Sequence, residues 1–180
     1  MKEEKFDMNE TMKTILERRS IRSFSSEPID EAILKDLADA GMHAPSAMCR
    51  KTWKFTIVMN QDIIKRLSAV IEKVLDRPGY NMYNPVALII PSNERDCKYG
   101  REDNACALQN IFLAAQSYGV GSVWINQLTG ICDEKEVREI LKEIEIPDSH
   151  IVYGFAALGY ADPNAPKPEY REIGEVKFVR

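Results

Sequence analysis

Histidine is scarce in this chain, and the residues that build metal sites are scattered along it. The 180 residues include only two histidines, His43 and His150, and the four cysteines form no CxxC pair. A zinc site needs several such ligands at short spacing, so the sequence argues against one. The cysteines are expected to be reduced and mostly buried: Cys49, Cys97, Cys106 and Cys132.

Long apolar runs and an excess of positive charge are also missing. No run is long enough to cross a bilayer, and a net charge of −4 argues against a nucleic-acid binder, which needs a concentrated basic face. The first residues lack the apolar segment of a secretory signal, so a cytoplasmic protein is expected.

A glycine-rich phosphate loop is the third absence. No GxxxxGK[ST] loop occurs, and Gly119 and Gly121 lead from a predicted helix into a strand, the reverse of the dinucleotide fingerprint. A bound phosphate would therefore have to be held by side chains.

Periodicity predicts alternating helices and strands in a single domain that spans residues 1–180. Helices are expected over about 8–19, from an Asp30 cap to a stop at Gly41, from an Asn60 cap to about 76, over about 105–118, and from an Asp133 cap to Ile144. Strands are expected at 53–58, 86–90, 121–126 and 150–158, with a surface loop at 91–103 and an extended tail from about 161. Alternation alone suggests a doubly wound parallel sheet, but the two opening helices and the tail resist that interpretation.

Arginines are concentrated at the end of the first predicted helix. Arg18, Arg19 and Arg22 surround Ser20 within five residues. Guanidinium groups match phosphate oxygens well, which favours an anionic ligand. Equally, three arginines at a helix C-terminus can simply complement the helix dipole and face water. The residues alone leave both interpretations open.

A second cluster, residues 44–53, follows the next predicted helix. It reads Ala-Pro-Ser-Ala-Met-Cys-Arg-Lys-Thr-Trp and has no apolar period, so a loop is predicted. Cys49 is expected to be a buried structural thiol. His43 in the same loop leaves a Cys–His hydrolase as an alternative, but no third residue to support such a pair is apparent.

Four ordered blocks of the chain together resemble the nitroreductase family of FMN oxidoreductases. Residues 18–24 are similar to its RRS-[IV]-R-x-[FY] signature, and residues 44–55 to APSAxNxQPW-x-F. Residues 109–125 resemble its QN-x4-A-x4-GLGS-x-W-I unit, and residues 157–168 onward its closing LGYP…PKPR segment.

The resemblance implies an α+β fold, with a mixed sheet flanked by helices in an intertwined homodimer whose C-terminal tail wraps the partner. It implies two FMN sites at the dimer interface, NADH or NADPH as reductant, and no catalytic side chain, since the flavin carries the chemistry. The residues that it places at the flavin are Arg18, Arg19, Ser20, Arg22, Pro45, Ser46, Ala47, Cys49, Gly121 and Arg171. The arginines and Ser20 would meet the phosphate, ribityl chain and ring, while Pro45, Ser46 and Ala47 would come from the other subunit and line the ring.

This chain departs from the family pattern in the second block. Cys49 stands where the family commonly has asparagine, and Lys51-Thr52 replaces Gln-Pro, which puts the acceptor preference in question. A nitroaromatic, quinone or enone acceptor is the implied class. A flavin-fragmenting or dehalogenating relative, and a flavin-binding sensor or interaction protein without turnover, stay open as alternatives.

Overall fold

The computed structural model describes residues 8–166, 168–169 and 174–180. Five helices are found there: α1 (Glu10–Glu17), α2 (Glu31–Met42), α3 (Gln61–Val74), α4 (Gly100–Ser117) and α5 (Lys135–Glu143). The strands are β1 (Trp53–Val58), β2 (Ala87–Glu94), β3 (Gly121–Ile125), β4 (His150–Ile151) and β5 (Phe155–Gly159), with a 3-10 turn at Ala47–Cys49.

The strands form one sheet in the order β1-β2-β5-β3, and β4 pairs with the far end of β2. All of these pairs are antiparallel, so the doubly wound parallel alternative is wrong. The one parallel pairing described is an isolated bridge between Ser20 and Ser122. The expected α+β class is confirmed, but the expected mixed sheet is not found in the described residues, where every pair of named strands is antiparallel.

Helices cover both faces of the sheet because side chains alternate along its central strands. On one face Leu88 and Ile90 of β2 pack with α3 and α5, and on the other Ala87 and Ile89 pack with α2 and α4. The central helix is α4, whose Ala107, Leu108 and Ile111 are fully buried, as its apolar composition predicts. Within the described residues, no helix has both the length and the apolar character that crossing a membrane requires.

Several predicted element boundaries are confirmed by the hydrogen bonds that cap them. Asp30 accepts from the N–H of Ala32, and Asn60 accepts from the N–H groups of Asp62 and Ile63. Gly119, with φ of 69°, directly follows Tyr118, the C-cap residue of α4. A positive φ at this position is what makes glycine suited to ending a helix.

The prediction of Gly41 as the stop of α2 is wrong. The helix continues to Met42, and Gly41 lies inside it, where an added Cβ would come within 2.8 Å of Phe55 and 3.0 Å of Ile111. A close approach between α2, β1 and α4 therefore explains this glycine.

The predicted surface loop at 91–103 is wrong over most of its length. Pro91 to Glu94 extend β2, and α4 begins at Gly100. Pro91 lies between the stretch of β2 that pairs with β5 and the stretch that pairs with β4. A proline, which lacks an N–H, is tolerated beside such a gap.

The last predicted strand, 150–158, is divided by a break at 152–154 into β4 and β5. The Asp133 cap is also wrong, because Glu134 occupies the cap position of α5 and the Asp133 carboxylate binds Arg95 and Arg138 instead.

Candidate functional site

The arginine cluster begins where α1 ends. Arg18 terminates the helix, and the Arg19 guanidinium donates to the carbonyls of Leu16 (2.6 Å) and Arg18 (2.8 Å). Arg19 thus serves as a C-terminal cap, as the dipole interpretation expected for this residue. Arg22 is exposed, whereas Arg18 is half-buried.

Residues 20–25 run as an extended segment across one end of the sheet. The N–H of Ile21 donates to the carbonyl of Ser122 (3.0 Å), and the N–H of Ser25 donates to that of Tyr160 (2.8 Å). The segment fits because of two glycines. A Cβ at Gly121 would lie 3.0 Å from Ile21, and one at Gly159 would lie 2.9 Å from Phe24.

Beside this segment lies an open cavity of about 570 Å³. It is lined by Ser20 to Ser23 on one side and by residues at the start of the tail on the other: Ala161, Asp162, Pro163, Ala165, Pro166 and Pro168. One acidic side chain, Asp162, also lines it, and its carboxylate accepts from Ser23 Oγ (3.4 Å) and from the N–H of Asn164 (2.9 Å). The volume of this cavity is in the range of small-molecule binding sites.

The charge of Arg18, two residues before the cavity wall, has no carboxylate within 4.0 Å among the described residues. Burial lowers the pKa of Arg18, and the positive charge of Arg19 lowers it further. A half-buried cation beside a second cation is stabilised by any anion that binds between them. The residues present therefore fit a phosphate-bearing ligand.

The second cluster forms a tight loop held by a buried carboxylate. Asp103, in the first turn of α4 and only 3% exposed, accepts from Ser46 Oγ (2.8 Å) and from the N–H of Ala47 (3.0 Å). Ser46 Oγ in turn accepts from the N–H of Lys51 (3.0 Å). Sequence reasoning missed Asp103. The available signal was its spacing: Asp103 lies one helical turn before Ala107 and two before Ile111, so an acidic residue falls on the buried face of α4.

The loop is strained. Met48, Cys49 and Lys51 have φ of 54°, 55° and 50°, which non-glycine residues rarely adopt. Such positions cost about 1–3 kcal/mol each and collect at functional sites, where surrounding contacts maintain them. The expectation that Cys49 is buried is wrong: Cys49 and Cys106 are exposed, and Cys97 and Cys132 are buried.

The structure brings only part of the predicted site together. Ser20 and Arg22 share the cavity, but Pro45, Ser46, Ala47 and Cys49 are not among its described lining residues. Gly121 is buried beneath Ile21. Arg171 lies outside the described residues, as does part of the predicted tail.

The two clusters lie far apart on one chain. Ser20 bridges the end of the sheet at which β2 begins, whereas Trp53, which follows the loop, pairs with Asn93 near the other end of β2. The rise of the strand separates these ends by about 20 Å. Helix α4 gives about the same separation: Asp103 near its start binds the loop, and Ser117 at its end leads into β3, which pairs with Ser20.

Comparison with known proteins agrees with this fold and with the motifs. The nitroreductase family model matches residues 15–84 and 78–160. The chain belongs to the nitroreductase family. This confirms the resemblance and identifies an oxidoreductase of the nitroreductase type.

Three proteins illustrate the similarity of this nitroreductase to others. A crystal structure of a Bacteroides fragilis nitroreductase with bound FMN has a TM-score of 0.88 and 35% identity, covering 96% of this chain and 100% of that one. A Methanothermobacter thermautotrophicus protein, provisionally named NADH dehydrogenase/NAD(P)H nitroreductase, is 33% identical over 89% of this chain and 80% of its own. The NADPH-flavin oxidoreductase of Vibrio harveyi is 29% identical over 87% and 68%, respectively.

Proposed function

We propose that this nitroreductase binds FMN and uses NADH or NADPH to reduce a small electrophilic acceptor such as a nitroaromatic or a quinone. Bound FMN would supply a ring that takes two electrons from the nicotinamide and gives them to the acceptor. Reduction of a nitro group would consume one NAD(P)H and one proton, and would release NAD(P)⁺, a nitroso compound and one water. A quinone would yield its hydroquinone with the same reductant and proton.

The observation that carries the proposal is the uncompensated charge of half-buried Arg18, two residues before Ser20 in the wall of the 570 Å³ cavity. Arg18 and Ser20 would hold the phosphate and ribityl chain, together with Arg19 if its guanidinium leaves the helix terminus. Arg22 is exposed and reaches the same cavity. A cation there would favour the form of the ring that carries negative charge. The FMN in the Bacteroides fragilis neighbour supports this assignment.

The separation of the two clusters supports a shared site in a homodimer. Arg22 and Ala47 would both need to contact one ring system, yet they belong to regions about 20 Å apart on one chain. A second copy would bring its loop, with Pro45, Ser46, Ala47 and Cys49, to the cavity of the first. In this arrangement the tail, predicted from about 161, would lie against the partner beyond its first residues, since Ala161 bridges Phe24 and the N–H of Asp162 donates to the carbonyl of Ser23 in the same chain. The single domain over 1–180 and the cytoplasmic location stay predictions.

The visible spectrum of freshly purified protein tests the proposal. We expect a yellow protein that absorbs at about 450 nm, the property of oxidised flavins, and that bleaches with NAD(P)H and recovers with an acceptor. Bleaching without acceptor-dependent recovery would indicate a sensor. A colourless protein that ignores added FMN would contradict the assignment.

Arg18→Ala should weaken FMN binding by about 1.5–3 kcal/mol, or roughly 10- to 150-fold, if the guanidinium pairs with the phosphate. Titration of apoprotein with FMN, followed by quenching of flavin fluorescence, measures this. Arg77→Ala removes an exposed arginine just beyond α3 and should leave the affinity unchanged. Equal affinities for the two variants would return Arg18 to the interpretation of a solvated helix end.

A further inference from the structure

The 44–52 loop is fixed at both ends, independently of any ligand. At its start Ser46 and Ala47 bind the buried carboxylate of Asp103. At its end Thr52 Oγ1 donates to Asn93 Oδ1 (2.6 Å), and the Thr52 carbonyl accepts from the N–H of Glu94 (3.2 Å). The left-handed residues between these anchors therefore have a defined position.

The fixed part of this loop presents an apolar side chain next to two positive charges. Met48 is 70% exposed, and Arg50 and Lys51 are exposed as well. Among the described residues, neither cation has a carboxylate within 4.0 Å, whereas the nearby Lys54 approaches Glu145 (3.8 Å). The loop thus offers an apolar contact and an unbalanced charge of two at one place.

We propose that Arg50 and Lys51 select electron acceptors that carry a negative charge on a planar, apolar body. This inference rests on the proposed function, in which this loop lines the ring at which the acceptor binds. Met48 would contact the body of the acceptor, and the two cations would attract its carboxylate, sulfonate or phosphate group. Lys51 adds charge where the family motif carries a neutral glutamine, so the preference belongs to this chain.

The attraction would act mainly on the encounter between enzyme and acceptor. Exposed charges raise association rates for ligands of opposite sign, and the effect falls as salt screens it. Two exposed cations should together change kcat/KM for an anionic acceptor about tenfold at low ionic strength, given the modest worth of each exposed pair.

The test compares two acceptors of similar shape, 4-nitrobenzoate and 4-nitrobenzamide, with NADH as reductant. The variant is Arg50→Gln with Lys51→Asn, because asparagine tolerates the left-handed backbone at position 51. The control is Lys65→Gln with Lys135→Gln, which removes the same charge from exposed positions on α3 and α5. Urea unfolding and flavin absorbance confirm that both proteins are folded and loaded.

We expect the ratio of kcat/KM for nitrobenzoate to that for nitrobenzamide to fall about tenfold in the Arg50/Lys51 variant and to stay constant in the control. Added salt should lower the ratio of the unmodified protein towards that of the variant. An unchanged ratio in a yellow, active variant would overturn this selection alone. A colourless protein without NAD(P)H oxidation would overturn the proposed function as well.

The phosphates of the reductant are a second source of negative charge, so a separate arm compares NADPH with NADH and the neutral acceptor. We expect the Arg50/Lys51 variant to keep the same ratio of kcat/KM with NADPH to kcat/KM with NADH as the unmodified protein. A loss confined to NADPH, with the acceptor ratio unchanged, would show that the loop recognises the dinucleotide, and would overturn the proposal.

Discussion

Asp103 shows how one buried side chain can hold a strained loop. Its carboxylate accepts from a hydroxyl and from a backbone N–H, and the same hydroxyl accepts from the N–H of Lys51. Without these bonds, three buried or half-buried polar groups would lose their partners. Little else would then offset the conformational cost of the left-handed residues in the loop. Asp103 is therefore a positioning residue for the 44–52 loop.

Asp103→Asn should lower the free energy of unfolding by about 1–3 kcal/mol, because an amide accepts from only one of the two donors and turns its NH₂ group towards the other. The measurement is urea denaturation at pH 7. Glu102→Gln, at the exposed neighbouring position, is the control and should stay within about 0.5 kcal/mol of the unmodified protein. Equal stability of the two variants would show that the loop holds its shape without this carboxylate.

The start of α5 is joined to the loop after β2 by charge rather than by a helix cap. Asp133 binds the guanidinium of Arg95 in a two-pronged pair and also accepts from Arg138 Nη2 (2.7 Å). Arg138 is almost fully buried, and its guanidinium also donates to the carbonyls of Pro147 and His150. These contacts join α5, the loop after β2 and β4.

The pKa of Asp133 predicts how this junction responds to acid. The hydrogen bond from Arg95, reinforced by Arg138, lowers this pKa to about 2. A carboxylate whose pKa is depressed by folding adds stability above its unfolded pKa of about 3.9, and this stability is lost as the pH falls towards 2. Asp133→Asn should therefore cost about 1 kcal/mol at neutral pH, a low figure because the carboxylate is largely exposed.

Urea denaturation at pH 7, 4 and 3 checks this. The difference in the free energy of unfolding between Asp133→Asn and the unmodified protein should become smaller as the pH falls. Asp148→Asn, which removes the exposed partner of Lys142, should change stability by less than about 0.5 kcal/mol at pH 7. A gap for Asp133→Asn that is constant from pH 7 to 3 would contradict the assignment.

Sequence pattern located elements well where the signal is local. The Asp30 and Asn60 caps and all of β1 were predictable, because a cap or an alternating strand depends on neighbouring residues. The predicted strand ended before Pro91, but β2 continues to Glu94. A proline is tolerated in this strand because of a gap between β5 and β4, which are distant from it in sequence. Gly41 misled in the same way, because the close packing of Phe55 and Ile111 is a tertiary property.

The candidate site was predictable only as separate pieces. The motifs named Ser20, Arg22 and Ser46, but nothing local indicates that Ser20 would bridge Ser122 or that Asp103 would hold Ser46. Those pairings join residues separated by 102 and 57 positions, respectively. Pairing over such distances is determined by the packing of the whole chain, which one sequence does not reveal.

At the scale of the whole molecule, α1 presents an apolar face that the rest of the described chain leaves uncovered. No residue of α1 is buried, and its Met12, Ile15 and Leu16 are each more than 40% exposed, as is Met8 just before it. A contiguous apolar face of this kind marks an interaction surface. Because the proposed site needs a loop from a second copy, we expect that copy to cover α1.

Ile15→Glu should convert a dimer into a monomer and release FMN, because a carboxylate at the centre of this face would lose its hydration on association without gaining a partner. Sedimentation equilibrium gives the mass of the assembly, and flavin absorbance of the same sample gives its cofactor content. Lys13→Glu changes charge beside this face without adding a carboxylate to it, and should remain dimeric and yellow. If Ile15→Glu stays dimeric with full flavin content, the partner covers a different surface and α1 plays no part in assembly. If the unmodified protein is a monomer that still binds FMN, one chain completes the site by itself, which the separation of about 20 Å between its two clusters argues against.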